Sequence, residues 1–149
     1  MRHAVITLRS ATQDDWRAIA SLLEDGQLPR DGAREHLGAF LLAVADGVVV
    51  GCACTEAHAE VALLRSIAVA PTLRRQGIGT MLINGLVQDA KRRKTGKIYL
   101  LTTSAEEYFA NFGFRREPIE QAPRSLQDSA LFQGACPASA ALMSLCVGE

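Results

Sequence analysis

Arg74 and Arg75, Gln76, and glycines at 77 and 79 stand between an apolar run, Leu63-Leu64-Arg65-Ser66-Ile67-Ala68-Val69, and a stretch in which Ile78, Leu82, Leu86 and Val87 recur at helical spacing. Two cations followed by bare backbone at a helix entrance suit an anion. The first turn of a helix has N–H groups without intrahelical partners and carries the positive end of the macrodipole. Glycines let a bulky group come close to that backbone. A phosphate or pyrophosphate is the expected ligand. The spacing is neither that of a P-loop, because no Gly-Lys-Ser/Thr follows, nor G-x-G-x-x-G. Taken alone it also fits a plain helix entry with glycines for close packing.

Two further groups invite chemistry. Arg65 lies inside the apolar run, where a charge is costly unless it is paired or faces a cleft. It could hold the carboxylate of an amino-acid-like substrate or form a salt bridge to Glu56. Ser66 is expected on the opposite face of the same strand. Cys52 and Cys54 sit two apart on an expected strand and so share a face. They could bind a soft metal or metalloid, or serve as small buried hydrophobes. No further Cys or His stands at metal-site spacing, so no metal is expected.

The elements that must position these groups follow from local pattern. His3 to Arg9 reads as a first strand centred on Val5 and Ile6. Thr12 and Asp15 form a capping-box variant ahead of a helix with Trp16, Ile19, Leu22 and Leu23 on one face, ended by Gly26. A loop at Leu28-Pro29 and Asp31-Gly32 precedes a short helix over 33–37. Arg30, Arg34, Glu35 and His36 in this region are possible substrate contacts or solvated surface. Phe40 to Ala45 and Val48 to Thr55 are strand-like runs around Asp46-Gly47, a type I′ hairpin signal. Glu56 to Glu60 is read as a second connection, leading into the strand that ends at the glycine turn. The long helix is expected over 77–94, with Lys91 to Lys94 suiting its negative end and Gly96 stopping it.

A strand over 97–103 should lie parallel and adjacent to the 63–69 strand through a right-handed crossover. Ser104 or Thr103 should cap a helix to Asn111, ended by Gly113. A strand over 114–119, a helix over 123–132, a bend at Cys136-Pro137 and a strand over 139–147 complete the chain.

The 149 residues suggest a single domain over 1–149, long enough to bury a core. Sixteen basic residues balance sixteen acidic ones, which argues against a nucleic-acid partner. No apolar run approaches the ~20 residues of a membrane span, and the N-terminus lacks a secretory pattern. A cytoplasmic location and no membrane partner are therefore expected.

Ile67-Ala68-Val69-Ala70-Pro71-x-x-Arg74-Arg75-Gln76-Gly77-Ile78-Gly79 resembles the acetyl-CoA signature of the GCN5-related N-acetyltransferases. Ala105-x-x-Tyr108-Phe109-Ala110-Asn111-Phe112-Gly113-Phe114 is similar to a second segment of that family, and the resemblance covers roughly residues 1–120. It implies an α/β (α+β) fold around a mixed, mostly antiparallel sheet of about six or seven strands, with about four helices and with parallel strands four and five splayed apart.

The resemblance also implies acetyl-CoA as co-substrate. Main-chain groups of Ile67, Ala68 and Val69 would pair with the pantetheine. The amides of Arg75, Gln76, Gly77, Ile78, Gly79 and Thr80 would take the pyrophosphate, with charge added by Arg74 and Arg75. Thr102 could bond the pantetheine, and Phe109 lies along the coenzyme. The implied reaction is attack by a neutral amine through a tetrahedral oxyanion, which needs a base and a donor for the leaving sulfur. Glu56 is the first candidate base and Glu60 the second. The family's usual tyrosine acid falls at Phe109, which has no proton to give. Tyr108 is turned ~100° away along a helix, and is either buried packing or a residue that reaches the site from an altered helix. Water or a Ser/Thr, with Ser66 as the candidate, must then protonate the thiolate. Arg65, Glu56 and Thr103 are the candidate substrate contacts.

A narrower likeness joins Leu63-Leu64-Arg65-Ser66, Leu100-Leu101-Thr102-Thr103-x-Ala105 and Phe132-x-x-x-Cys136-Pro137-Ala138-Ser139-Ala140 to the acetyltransferases of bacterial arsenic-resistance operons. It points to a small primary amine, of the kind of an amino-acid-like toxin, as acceptor. The alternatives are an acyl-CoA-binding sensor without turnover and a protein N-acetyltransferase. A homodimer stays open.

Overall fold

Asp46 and Gly47 both take positive φ, 52° and 78°. That is the geometry of a type I′ turn, and it joins β2 (Phe40–Ala45) to β3 (Val48–His58) in antiparallel register. The computed structural model describes residues 5–135 and 139–147. Within them, β1 (Ile6–Ser10), β2, β3, β4 (Val61–Val69), β5 (Lys97–Thr102), β6 (Arg115–Glu117) and β7 (Ala141–Cys146) form one sheet in the order β1-β2-β3-β4-β5-β7-β6. β4 and β5 are parallel and the other pairs antiparallel, as the family resemblance implies.

Helices cover both faces. α2 (Ile78–Arg92) buries Ile78, Leu82, Ile83 and Leu86 against Ala43, Ala53, Leu64 and Leu100. α1 (Trp16–Asp25) presents Ile19, Leu22 and Leu23 to Phe40, Leu42, Cys52 and Cys54 on the opposite face. The Asp15 carboxylate accepts the Thr12 amide at 2.8 Å and closes the expected capping box ahead of α1. A third cluster, Leu63, Tyr99, Leu126 and Leu142, continues the α1 face towards the C-terminal strands.

The β4–β5 ladder is short. It runs only through Val61↔Lys97, Ala62↔Ile98 and Leu63↔Tyr99. Beyond Leu63 the strands part, while β5 stays paired with β7 along its whole length, from Lys97↔Cys146 to Thr102↔Ala141. The sheet therefore opens between two strands that are each held from the other side.

Several expected boundaries shift for physical reasons. Val5 is not an apolar strand centre but 77% exposed, just before edge strand β1. β3 does not end at Thr55. It runs on to His58, so Glu56 lies within a paired strand opposite Leu63 rather than in a connection. α2 ends at Arg92, and Lys94, with φ 61°, takes the left-handed position assigned to Gly96. The Gly96 amide instead donates to the Glu60 carbonyl at 2.9 Å. The region 123–132 is not one helix: a 3₁₀ turn, Arg124–Asp128, is followed by a separate turn at Leu131–Ala135. The Cys136-Pro137 bend lies outside the described residues.

Candidate active site

The site grows from an irregularity in β4. Cys52 pairs with Ala68 but Cys54 pairs with Arg65, so β3 advances two residues while β4 advances three. The extra residue is a β-bulge, and Ser66 within it has φ 60°. A left-handed conformation costs a non-glycine residue about 1–2 kcal/mol. The bulge lets both Arg65 and Ala68 face α1. It also brings Ser66 beside Arg65, where strict alternation predicts the opposite face: Arg65 Nε donates to Ser66 Oγ at 2.9 Å.

Arg65 is 4% exposed and Glu56 1% exposed. Their partnership is direct, with Nη1 donating to Glu56 Oε2 at 2.7 Å, while Nη2 donates to the Pro29 carbonyl at 3.2 Å. Of the two uses the sequence leaves open for Arg65, the ion pair is the one formed. His58 Nε2 lies 2.8 Å from Glu56 Oε1 and His36 Nε2 3.8 Å from it. Burial pushes the Glu56 carboxyl up, but hydrogen bonds from Arg65, His58 and Ser129 outweigh it and hold the group below its ordinary value. Glu56 is thus an ionised, buried anchor behind Arg65 and not an exposed turn carboxylate. It does not line the cavity described next.

Where β4 and β5 part, a cavity of about 600 Å³ opens. Leu64, Arg65, Ser66 and Ile67 form one wall, Leu100 to Ala105 the other, and Leu28, Pro29 and Asp31 lean over its acceptor end. Thr103 is exposed on the wall, while Thr102 Oγ1 accepts the Ala105 amide at 3.0 Å. Neither Ser104 nor Thr103 caps the helix that follows, whose N-cap position is Ala105 without a side-chain cap bond. The Ala70 amide donates to the Val50 carbonyl at 2.8 Å. Ladder alternation then turns the main-chain groups of Ala68 towards β3 and those of Ile67 and Val69 towards the opening. The Val69 carbonyl is met there by Arg74 Nε at 3.2 Å.

Beside the cavity, at the far end of the Tyr108 ring that lines it, is the mouth of α2. Arg75 and Gly77 have φ 67° and 82°, and a Cβ at Gly77 would meet nothing within 4 Å. Arg74, Arg75, Gln76 and Thr80 are exposed, and the first turn of α2 contains no acidic residue. Backbone amides ringed by left-handed residues form an anion-binding concavity. The residues present therefore fit a diphosphate. Ile78 differs: its side chain is 2% exposed and packs under α2, leaving only its amide for a ligand.

α3 is short, Glu106–Ala110. Phe109 is 8% exposed and stacks edge-on against Phe114, with its ring at the cavity's inner edge. Tyr108 is not packing. It is 40% exposed and lines the cavity. A Cβ on Gly79 would stand 2.6 Å from its hydroxyl. Gly79 is therefore small to admit a tyrosine, a reason invisible in the glycine pattern itself.

Sequence reasoning missed Asp31, the one carboxylate among the described residues that line the cavity. Only its Asp-Gly turn pairing marked it. Neighbours singled out instead lie elsewhere: Arg34 stacks on Trp16 at 5.7 Å, His36 lies near Glu56, and Arg30 and Glu35 are exposed. Cys52 and Cys54 are fully buried, and burial raises both thiols to about 12. Among the described residues no group of three or more side chains is placed to hold a metal, and no helix is long and apolar enough to cross a membrane.

A family model described as the acetyltransferase (GNAT) family matches residues 5–114. The amino-acid acetyltransferase of Neisseria meningitidis is 27% identical over 133 residues, covering 83% of this chain and 30% of that protein. The Aliivibrio fischeri enzyme of the same name is 29% identical over 135 residues, covering 85% and 30%. The chain thus spans about 30% of the length of these curated relatives. N-acetylglutamate synthase from Neisseria gonorrhoeae, solved with coenzyme A and N-acetyl-glutamate, superposes with TM-score 0.83 at 22% identity over 99% of this chain and 36% of its own. PaiA N-acetyltransferase from Thermoplasma acidophilum, solved with coenzyme A, gives TM-score 0.70 at 16% identity over 95% and 99%. At these identities the solved structures establish the shared fold.

Proposed function

The chain belongs to the acetyltransferase (GNAT) family, and on that footing we propose that it transfers the acetyl group of acetyl-CoA to the primary amine of a small molecule. The observation that carries the reading is the opening between β4 and β5, lined by Tyr108, whose hydroxyl ends at the anion-ready turn at the mouth of α2. A thioester held there by its diphosphate lies against Ser66. Acetyl-CoA supplies the activated acyl group, and the chain supplies position and polarity.

Ser66 Oγ accepts from Arg65, so its own hydrogen remains available for donation. Polarised by the adjacent guanidinium, it is the donor we assign to the departing sulfur. Phe109 leaves that task open, and a thiol of ordinary pKa, about 8.5, leaves without a strong acid. The ammonium first gives a proton to water at the open acceptor end. The neutral nitrogen then forms the C–N bond, the C–S bond breaks, the nitrogen's second proton passes to water, and the sulfur takes a proton through Ser66, whose hydroxyl is restored from water. Glu56 acts through Arg65 as a positioning residue, because its lowered pKa and burial make it a poor base for a proton in the cavity.

Asp31 at the mouth favours a cationic amine, and the Leu28-Pro29 overhang favours a small acceptor over a long peptide. We take the acceptor to be amino-acid-like, a class that includes organoarsenicals and phosphinothricin analogues. The relatives' name, amino-acid acetyltransferase, is consistent with this. The test is release of free thiol from acetyl-CoA across a panel of amino acids, such toxins, polyamines and peptides. Turnover with amino-acid-like amines supports the reading. Turnover with peptides alone overturns the acceptor class. Coenzyme A binding without thiol release would make the chain a sensor, the outcome that Phe109 favours.

A further inference from the structure

Tyr108 reaches across the cavity from α3 to α2, the second of the two places the sequence pattern leaves open for it. Its ring leans edge-on against Phe109 and Phe112, each with centroids 5.3 Å away. These two contacts fix the ring's direction. The hydroxyl ends at the first turn of α2, on the space that a Cβ of Gly79 would fill, 2.6 Å from it.

We propose that Tyr108 is a coenzyme-binding residue whose hydroxyl donates a hydrogen bond to the diphosphate held at the mouth of α2. The proposal rests on the coenzyme-binding reading above. Several features of the site support it. The ring lines the same cavity as Ser66 and Ile67, so it faces the ligand and not the core. The hydroxyl lies against Gly79 in the first turn of α2, whereas Arg65 and Ser66 belong to the β4 wall. It is therefore placed for phosphate oxygens and not for the sulfur. Burial raises the phenol above its ordinary value against the opposing effect of Thr80, so the group is a neutral donor throughout the neutral range. Finally, Gly79 gives up its side chain where the hydroxyl sits, which ties the turn's sequence to the tyrosine.

Arg74 and Arg75 supply charge from the solvent side, where water screens it. Tyr108 supplies a directed donor from the cavity side. A hydrogen bond to a charged group is among the stronger ones, and losing it should weaken binding about tenfold.

The test is the variant Tyr108→Phe, which keeps the ring and its contacts. Calorimetry gives the Kd for coenzyme A, and kinetics give KM for S-acetyl-pantetheine, which has no diphosphate. The expected result is a Kd raised about tenfold with KM for S-acetyl-pantetheine unchanged. A Kd within about twofold of wild type overturns the proposal. Equal losses with both ligands also overturn it, because the residue then acts on the pantetheine or on the fold. Wild-type chain that fails to bind coenzyme A at all sinks the parent reading instead. Wild-type binding with an indifferent variant sinks this inference alone.

Discussion

The two ends of the cleft are made of different materials. The end at α2 is built from main-chain amides, two left-handed residues and exposed cations. The end at Ser66 is built from buried side chains: an ion pair, imidazoles behind it, and a strained bulge. The first end depends on what is missing, since it needs bare backbone and no acid. The second depends on what is matched, since each buried polar group needs its partner. A substitution at the first end should alter ligand affinity with little loss of fold. One at the second should alter fold and rate together.

The largest expected effect lies at the matched end. Arg65→Met strands the Glu56 carboxylate in the core and should cost about 3–5 kcal/mol of stability, read by denaturant unfolding. A loss below about 1 kcal/mol would show that the pair is no more than a surface bridge. Next comes Gly77→Glu, which puts a carboxylate against the diphosphate and forces a side chain into φ 82°. Affinity for coenzyme A should fall by at least about 100-fold, while the melting temperature changes less than in Arg65→Met. Retained affinity would move the phosphate site elsewhere.

Ser66→Ala removes the assigned donor and should lower kcat by about tenfold to a hundredfold with little change in the Kd of coenzyme A. An unchanged kcat returns the sulfur's proton to water. The pH profile sharpens the contrast further. Glu56 has a lowered folded pKa, so its contribution is complete above the unfolded value of about 4.3 and is lost as pH falls through the folded one. Glu56→Gln should therefore flatten the acid limb of stability below about pH 4, and a limb of unchanged slope would assign it to other carboxyls. The smallest effect is expected at the rim, where Asp31→Asn should raise KM for a cationic amine about twofold to fivefold, less at high salt. Equal effects on neutral and cationic acceptors would argue against attraction.

The same division explains what could be read in advance. Backbone-built features leave local marks. Asp46-Gly47 names its hairpin, Ile78-Leu82-Leu86 names the buried face of α2, and the basic glycine turn names an anion site. Side-chain features depend on register, which is settled between strands. Arg65 was legible as a buried charge needing an answer, and Glu56 as one possible answer. The bulge was not legible, because a serine carries no mark of a left-handed φ. Without it, Ser66 is assigned to the wrong face. His58 is missed for another reason, because β3 runs past Thr55 and puts it two residues from Glu56 on the same face. Tyr108 stayed between two readings for a related reason. α3 is too short for helical spacing to say which ring faces inward, and the space at Gly79 that receives its hydroxyl lies on another element. In the C-terminal part, Arg124–Asp128 shows no period that separates a tight turn from a helix.

The extra residue at the bulge is a surplus of chain: between Arg65 and Ala68, Ser66 and Ile67 stand without ladder partners opposite the single residue Ala53. Point changes on either side leave that count alone. Removing one residue between Arg65 and Ala68 would let two residues of β4 answer two of β3. The ladder would close, Ala68 would keep its pairing with Cys52, and the kink that sets Ser66 beside Arg65 would be gone. The polar wall of the cleft thus hangs on a length of strand that the sheet itself does not need. A one-residue deletion there should cost turnover more than stability, and a variant that unfolds would show that the surplus holds the sheet in register.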